Sequence, residues 1–369
     1  MRNSILILVL LWVVSCKSPE TKTLSHQVQT DTIFIPIADT LNFSFASIKQ
    51  IDKDVLVCIN DEKTSKLYLF TYLPDSIKDL RVFDLPVSLL DTSNGKIKNI
   101  DIISKESVLI CQKNLLSIYN LKTKTLDFSY SHSGDDSAYY FNNNAQEISW
   151  NDFDNNILSI IYHFDETKKM GDTNIFFSGF LNPKTEEIEM IPINRPSVYQ
   201  TSLINSMFTS EYIAVSPDYY VAAFGITPDL TVYNRKTKEL KNIFVKSSQY
   251  SDIKSVDSSE FKDIKAIFNH YIGSMNFKNI KYDKFNKVYY RFYLHPIAEE
   301  DMNDEYLYEV GSKPLGVTIL SDDFKIIGDL YLDDEIYPFN ISIIADGLMQ
   351  IQSIKEKNRA VVRTVRYEK

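Results

Sequence analysis

The chain is poor in the residues that reverse, brace or mark most exported β proteins: of 369 residues only 3 are Cys, 10 Gly, 12 Pro and 2 Trp. Three cysteines exclude a disulfide-stapled scaffold, and their spacing makes no zinc knuckle. So little Gly and Pro excludes collagen-like and low-complexity chains and leaves the turns to other residues. Beyond residue 16 no apolar run approaches the ~20 residues of a spanning helix. A Gly-rich phosphate loop, an HExxH pair, a G-x-S-x-G elbow and an EF-hand loop are all missing. Positive charge is in deficit too, 40 Lys and Arg against 49 Asp and Glu. That balance argues against nucleic acid and against electrostatic adhesion to anionic lipid.

What is present begins at the N-terminus. Arg2, an unbroken apolar run from Ile5 to Val14, and then Ser15 and Cys16 make the charge, apolar core and small-residue cleavage site of a secretory leader. Val13-Val14-Ser15-Cys16 resembles a bacterial lipobox, which implies a signal peptide over residues 1–15, acylation (palmitate included) at Cys16, and attachment to the membrane through that lipid. The expected location is the cell envelope, at the outer membrane; Lys17-Ser18-Pro19-Glu20 assigns no facing. Residues 16–31 are polar and read as a flexible tether, and residues 32–369 as the folded domain.

The domain composition is that of an all-β protein, with 23 Tyr and 22 Phe. One helix is expected over residues 258–272, where Phe261, Ile264, Ile267, Phe268 and Tyr271 recur at three and four. A repeat is visible: the segment from Leu116 through Asn120-Leu121-Lys122-Thr123-Lys124 to Leu126 matches that from Leu230 through Asn234-Arg235-Lys236-Thr237-Lys238 to Leu240. Gly179 to Ile188 is a third copy and Val317 to Ile326 a weaker fourth. Asn or Asp opens such hairpin turns because its side chain bonds the backbone two residues on. Each copy closes a four-stranded unit, at a period of roughly 50 residues. The units fall at 43–85, 97–129, 146–192, 207–245, 276–332 and 337–369, a six-bladed β-propeller in which the strand Thr32 to Ile37 completes the last blade. A pair of β-sandwiches is the alternative. Cys58 and Cys111, at matching points of the first two units, read as core fillers.

The lipobox, the acidic six-unit domain, the segment Ile280-Lys281-Tyr282-Asp283 to Val288-Tyr289-Tyr290-Arg291-Phe292 and the ending Ile344-Ala345-Asp346-Gly347-Leu348 resemble a family of Bacteroidota lipoproteins. That resemblance implies a propeller of unknown function and transfers no catalytic residue.

In a propeller the inter-blade loops and the loops between second and third strands open on one face, and here the inter-blade loops are long. Tyr139, Tyr140 and Tyr199 are expected to give that face contact surface. His163 and His295, near the ends of second strands, and Arg291, among aromatics, are the other ligand-binding candidates. The five histidines have no metal-ligand spacing, so neither metal nor cofactor is expected. The reading is a lipid-anchored propeller that binds a protein, peptide or glycan, with a hydrolase or lyase using His163, His295 and Arg291 as the alternative and a purely structural envelope role as a third.

Overall fold

The computed structural model describes residues 23–36, 46–61, 64–86, 89, 96–112, 115–131, 139–141, 148–163, 178–191, 193, 196, 211–247, 249–251, 264–298, 313–332, 341–354 and 359–367. Six antiparallel sheets follow one another along the chain. The first blade holds β2 (Ala46–Ile51), β3 (Asp54–Asp61), β4 (Lys66–Leu73) and β5 (Ser76–Asp84). The second holds β6 (Ile97–Ser104), β7 (Ser107–Gln112), β8 (Leu115–Asn120) and β9 (Thr125–Ser131). The third holds β10 (Tyr139–Phe141), β11 (Ser149–Asn151), β12 (Asn156–His163), β13 (Ser178–Leu181) and β14 (Ile188–Met190). The fourth holds β15 (Glu211–Val215), β16 (Tyr219–Phe224), β17 (Asp229–Asn234) and β18 (Leu240–Phe244). The fifth holds β19 (Asn276–Asp283), β20 (Val288–Leu294), β21 (Leu315–Ser321) and β22 (Ile326–Leu332). The sixth is ordered β1 (His26–Phe34), β25 (Arg359–Tyr367), β24 (Gly347–Ile354), β23 (Ser342–Ile344), so the N-terminal strand closes the ring as its outer strand.

There is no single core. Six apolar slabs lie one between each pair of neighbouring blades. Strands are therefore buried on both faces, as in β20, Val-Tyr-Tyr-Arg-Phe-Tyr-Leu, whose seven residues are all buried. Tyr290 and Phe292 point into the slab shared with the sixth blade, and Tyr289 into that shared with the fourth. Cys58 fills the slab between blades one and two and Cys111 that between two and three, so the two thiols stand free and apart.

The repeated turn works as its composition predicts. Asn120 Oδ1 accepts from the amides of Lys122 and Thr123, Asn182 Oδ1 from Lys184, and Asn234 Oδ1 from Lys236 and Thr237. The fifth residue counted from each turn's Asn, Lys124, Glu186 or Lys238, takes a left-handed φ of 59°, 59° or 63°. Asn thus supplies the local bonds with which a Gly-poor chain turns.

Two boundaries differ from the sequence reading. The closing strand starts at His26, six residues before Thr32, and Leu24 is already buried between blades five and six, its amide donating to Asp329 O at 2.8 Å. Residues 23–31 therefore belong to the folded part; polar Gln27, Thr30 and Thr32 are exposed on this outer strand, so composition does not mark it as a strand. The third blade begins earlier as well: Tyr139–Phe141 is a strand, and with β11 it pairs along β12, so the inner strand is split in two. The helix, α1, spans Ile264–Gly273; residues 258–263 lie outside the described residues. Lys313 Nζ and Asn276 Nδ2 both donate to the carbonyls of Tyr271 and Ser274 at its C-terminal end, where a cation is favoured.

Candidate functional site

The innermost strand of a propeller blade has one neighbour in its sheet, so half of its backbone groups face the axis unpaired, and buried groups of that kind need partners. Polar side chains from the adjacent blade supply them. Ser47 Oγ accepts from Ile102 N at 3.2 Å, and Lys49 Nζ donates to Ile103 O at 3.3 Å, joining blades one and two. Asn99 Nδ2 donates to Ile148 O at 3.0 Å, and the Asp101 carboxylate accepts from Trp150 N at 2.7 Å, joining blades two and three. Lys281 Nζ donates to Ile341 O at 2.5 Å, joining five and six, and Gln50 Oε1 accepts from Ala345 N at 2.6 Å, joining six and one.

These side chains border an axial cavity of about 360 Å³ that takes lining residues from the inner strands of all six blades. At the end where the first-to-second strand turns emerge, Asp152 holds Lys49 at 2.5 Å and Lys284 at 3.3 Å, a bridge across blades one, three and five. Phe153 and Phe285, on the two turns beside it, are exposed to 36% and 38%. Deeper in, Asp101 accepts from Ser47 Oγ as well as from Trp150 N; burial raises its carboxyl pKa, against the opposing pull of the Lys49 ammonium and these two donors. Burial likewise lowers the pKa of Lys281, with Asp101 opposing. At the opposite end Glu211 accepts from Ser178 Oγ at 3.0 Å.

The described residues include only some of those singled out from the sequence. Cys16 and Tyr199 lie outside the described residues. Tyr139 and Tyr140 belong to β10 and not to a loop tip, and Tyr139 pairs directly opposite His163 at the end of β12, so the register brings these two candidates together. His295 is on blade five, half-buried beside the rings of Tyr293 and Tyr331 at 5.0 and 4.9 Å. Burial, with the Lys313 charge second, brings its pKa down to about 4, which keeps it neutral. Arg291 is fully buried; its guanidinium donates to the carbonyls of Thr227, at 2.6 Å, and Pro228 and lies 4.0 Å from the Phe277 ring centroid. It ties blade five to blade four, a structural post. Among the described residues that line the axial cavity, neither His295 nor Arg291 appears.

Sequence reasoning passed over Lys49, Asp101, Asp152, Lys281 and Lys284. A signal existed for three of them: Ser47-Ile48-Lys49, Asn99-Ile100-Asp101 and Asn279-Ile280-Lys281 repeat a polar-Ile-charged triplet in first strands, the Ile entering the slab behind and the polar pair facing the axis. Among the described residues no group of three or more His, Cys, Asp or Glu is placed to hold a metal ion, and no helix is long and apolar enough to cross a membrane.

Six sheets in a closed ring around a polar axial cavity define a six-bladed β-propeller. Within that class the chain belongs to the family described as Domain of unknown function (DUF4221), whose pattern matches residues 27–330. A DUF4221 member from Bacteroides vulgatus is similar in structure, with a TM-score of 0.66 and 16% identity over 94% of this chain and 99% of that one. A protein from Bacteroides fragilis described as exported is similar at a TM-score of 0.52 and 12% identity, over 93% of this chain and 96% of that one. No curated protein matches the chain in sequence.

Proposed function

We propose that this protein is a lipid-anchored binding propeller of the cell envelope that takes a small ligand into its axial cavity. The cavity carries the reading. Its volume, about 360 Å³, lies at the lower end of the range of small-molecule sites, and polar and charged side chains of the inner strands share its lining with apolar and aromatic ones. Binding is favoured over hydrolysis or lysis because the acidic and basic groups there are engaged in inter-blade bonds, and His163 and His295 stand on different blades. Residues 13–16 support anchoring at Cys16, and a similar propeller is described as exported.

Asn279 lines the cavity on the bulge between Phe277 and Ile280, so Asn279→Trp fills space without breaking the strand pairing. Native mass spectrometry of protein isolated from its own envelope should show a small molecule on the wild type and none on Asn279→Trp. Equal retention by both places the ligand elsewhere. Cys16→Ser should move the protein from the membrane to the soluble fraction; a variant that still pelleted after a high-salt wash would remove the anchor.

A further inference from the structure

We infer that the axial cavity selects a small organic carboxylate, admitted through the mouth between Phe153 and Phe285 and held by the ammonium of Lys281; this rests on the binding reading above. An ammonium has three donors. Among the described residues that of Lys281 has one acceptor, Ile341 O at 2.5 Å, and it borders the cavity, so two N–H groups face an occupant. The nearest carboxylates cannot serve it fully. Asp101 is committed to Trp150 N and Ser47 Oγ, and Asp152 to Lys49 and Lys284. Toward this mouth three ammoniums, Lys49, Lys281 and Lys284, meet two carboxylates, because the third carboxylate of the lining, Glu211, stands at the opposite end and accepts from Ser178 Oγ. A charge kept from water is stabilised by an opposite charge with hydrogen bonds, and one carboxylate supplies both.

The mouth sets the rest of the ligand. Lys281 on β19 lies three residues before Lys284, the first residue of the turn after that strand, about 10 Å at strand rise. A carboxylate bonded to Lys281 therefore leaves the remainder of a small molecule between Phe153 and Phe285. Phe153 is itself backed by Tyr282 at a centroid distance of 6.1 Å, and Lys284 lies 5.5 Å from the Phe285 ring. Flat aromatic walls suit a sugar ring or an apolar side chain. The two sources of such a carboxylate are an acidic monosaccharide and the C-terminus of a short peptide.

Calorimetric titration of the lipid-free mature protein with D-galacturonate and with the dipeptide Gly-Phe tests this, using D-galactose and Gly-Phe amide as uncharged counterparts. At least one acid should bind saturably while its counterpart does not. Lys281→Met should weaken that binding about tenfold or more, as expected for loss of a charged hydrogen bond, and Lys281→Arg should largely restore it. Phe285→Ala changes an exposed turn residue and should weaken it several-fold with the fold intact, so the inference does not depend on how well the Lys281 variants fold. Galacturonate binding alone assigns an acidic sugar, and Gly-Phe alone a peptide terminus. Absence of saturable binding by both acids, equal affinity for the uncharged counterparts, or affinity unchanged in Lys281→Met and in Phe285→Ala overturns the carboxylate. Binding of an uncharged counterpart that Asn279→Trp abolishes would overturn it and leave the cavity reading standing.

Discussion

The backbone amide of Trp150 donates to the carboxylate of Asp101 across the boundary between the second and third blades at 2.7 Å, and Ser47 of the first blade reaches the same carboxylate at 3.2 Å. One side chain thereby satisfies a free inner-strand edge and gathers three blades. The propeller has apolar slabs at its blade boundaries and a polar ring at its axis, and the ring is where sequence polarity and burial conflict most.

Asp101→Leu should cost about 1–3 kcal/mol, because the Trp150 amide loses its acceptor in an enclosed site, whereas Asp101→Asn keeps an acceptor and should cost less. The carboxyl pKa is raised in the fold above 3.8, chiefly by burial. The folded state then holds the proton more tightly, so the stability this group contributes is complete below that value and is lost as pH rises through the raised pKa. Urea midpoints at pH 4 and pH 7 should show Asp101→Asn gaining on the wild type at the higher pH; a constant difference would refute the raised pKa.

Neutral His295 carries the opposite sign. With its pKa depressed from 6.5 to about 4, its stabilising contribution is present above 6.5 and is lost as pH falls through about 4. The wild type should lose stability over that window, and His295→Gln should lose less; thermal melts across the window make the comparison.

Gly316 lies on β21 beneath the Tyr293 ring, where an added Cβ would stand 2.2 Å from the ring carbon bearing the hydroxyl. Tyr293 is wholly buried against Tyr250 and cannot retreat. Gly316→Ala should therefore destabilise by about 1–3 kcal/mol or more, by overpacking. The double variant with Tyr293→Leu should recover part of that loss, and equal stability of Gly316→Ala and wild type would disprove the contact.

Ring closure predicts a graded response to truncation. Removal of residues 1–22 should leave the melting temperature near that of the full chain. Removal through residue 25 deletes buried Leu24 and should cost about 1.5–3 kcal/mol. Removal through residue 35 strips β1 from β25 and detaches Tyr72 from Asp31, and the ring should not close stably. A cut after residue 29 falls inside β1 and belongs with the harmful truncations. Identical melting curves for the cuts at 22 and 35 would exclude closure by β1.

Cys58 and Cys111 are buried in different slabs, and burial pushes the Cys58 thiol up to about 12 and that of Cys111 higher still. Thiolate is the reactive form. Neither cysteine should react with Ellman's reagent in the native protein lacking residues 1–22, and both should react in guanidinium without prior reduction.

The sequence by itself determined the strand repeat, its count of six and the turn chemistry, because these depend on neighbours within a dozen residues. Asn120, Asn182 and Asn234 make the same local bonds wherever the copy sits. It also marked closure by an N-terminal strand, through the three-stranded last unit, though not the start of β1 at His26, where Gln27, Thr30 and Thr32 are exposed and no apolar alternation announces a strand. Only the tertiary structure decided which polar residues meet. Lys49, Asp152 and Lys284 are 103 and 132 residues apart along the chain from Asp152 and touch at one mouth, and no local pattern encodes contacts that arise when blades close around an axis. The same closure turned Arg291 from a ligand candidate into a post between blades, since the carbonyls of Thr227 and Pro228 that occupy it come from another repeat. Strand periodicity reports which face is buried; it does not report which unpaired backbone edge of the next blade a polar side chain will satisfy, and in this protein that demand places the charges around the axial cavity.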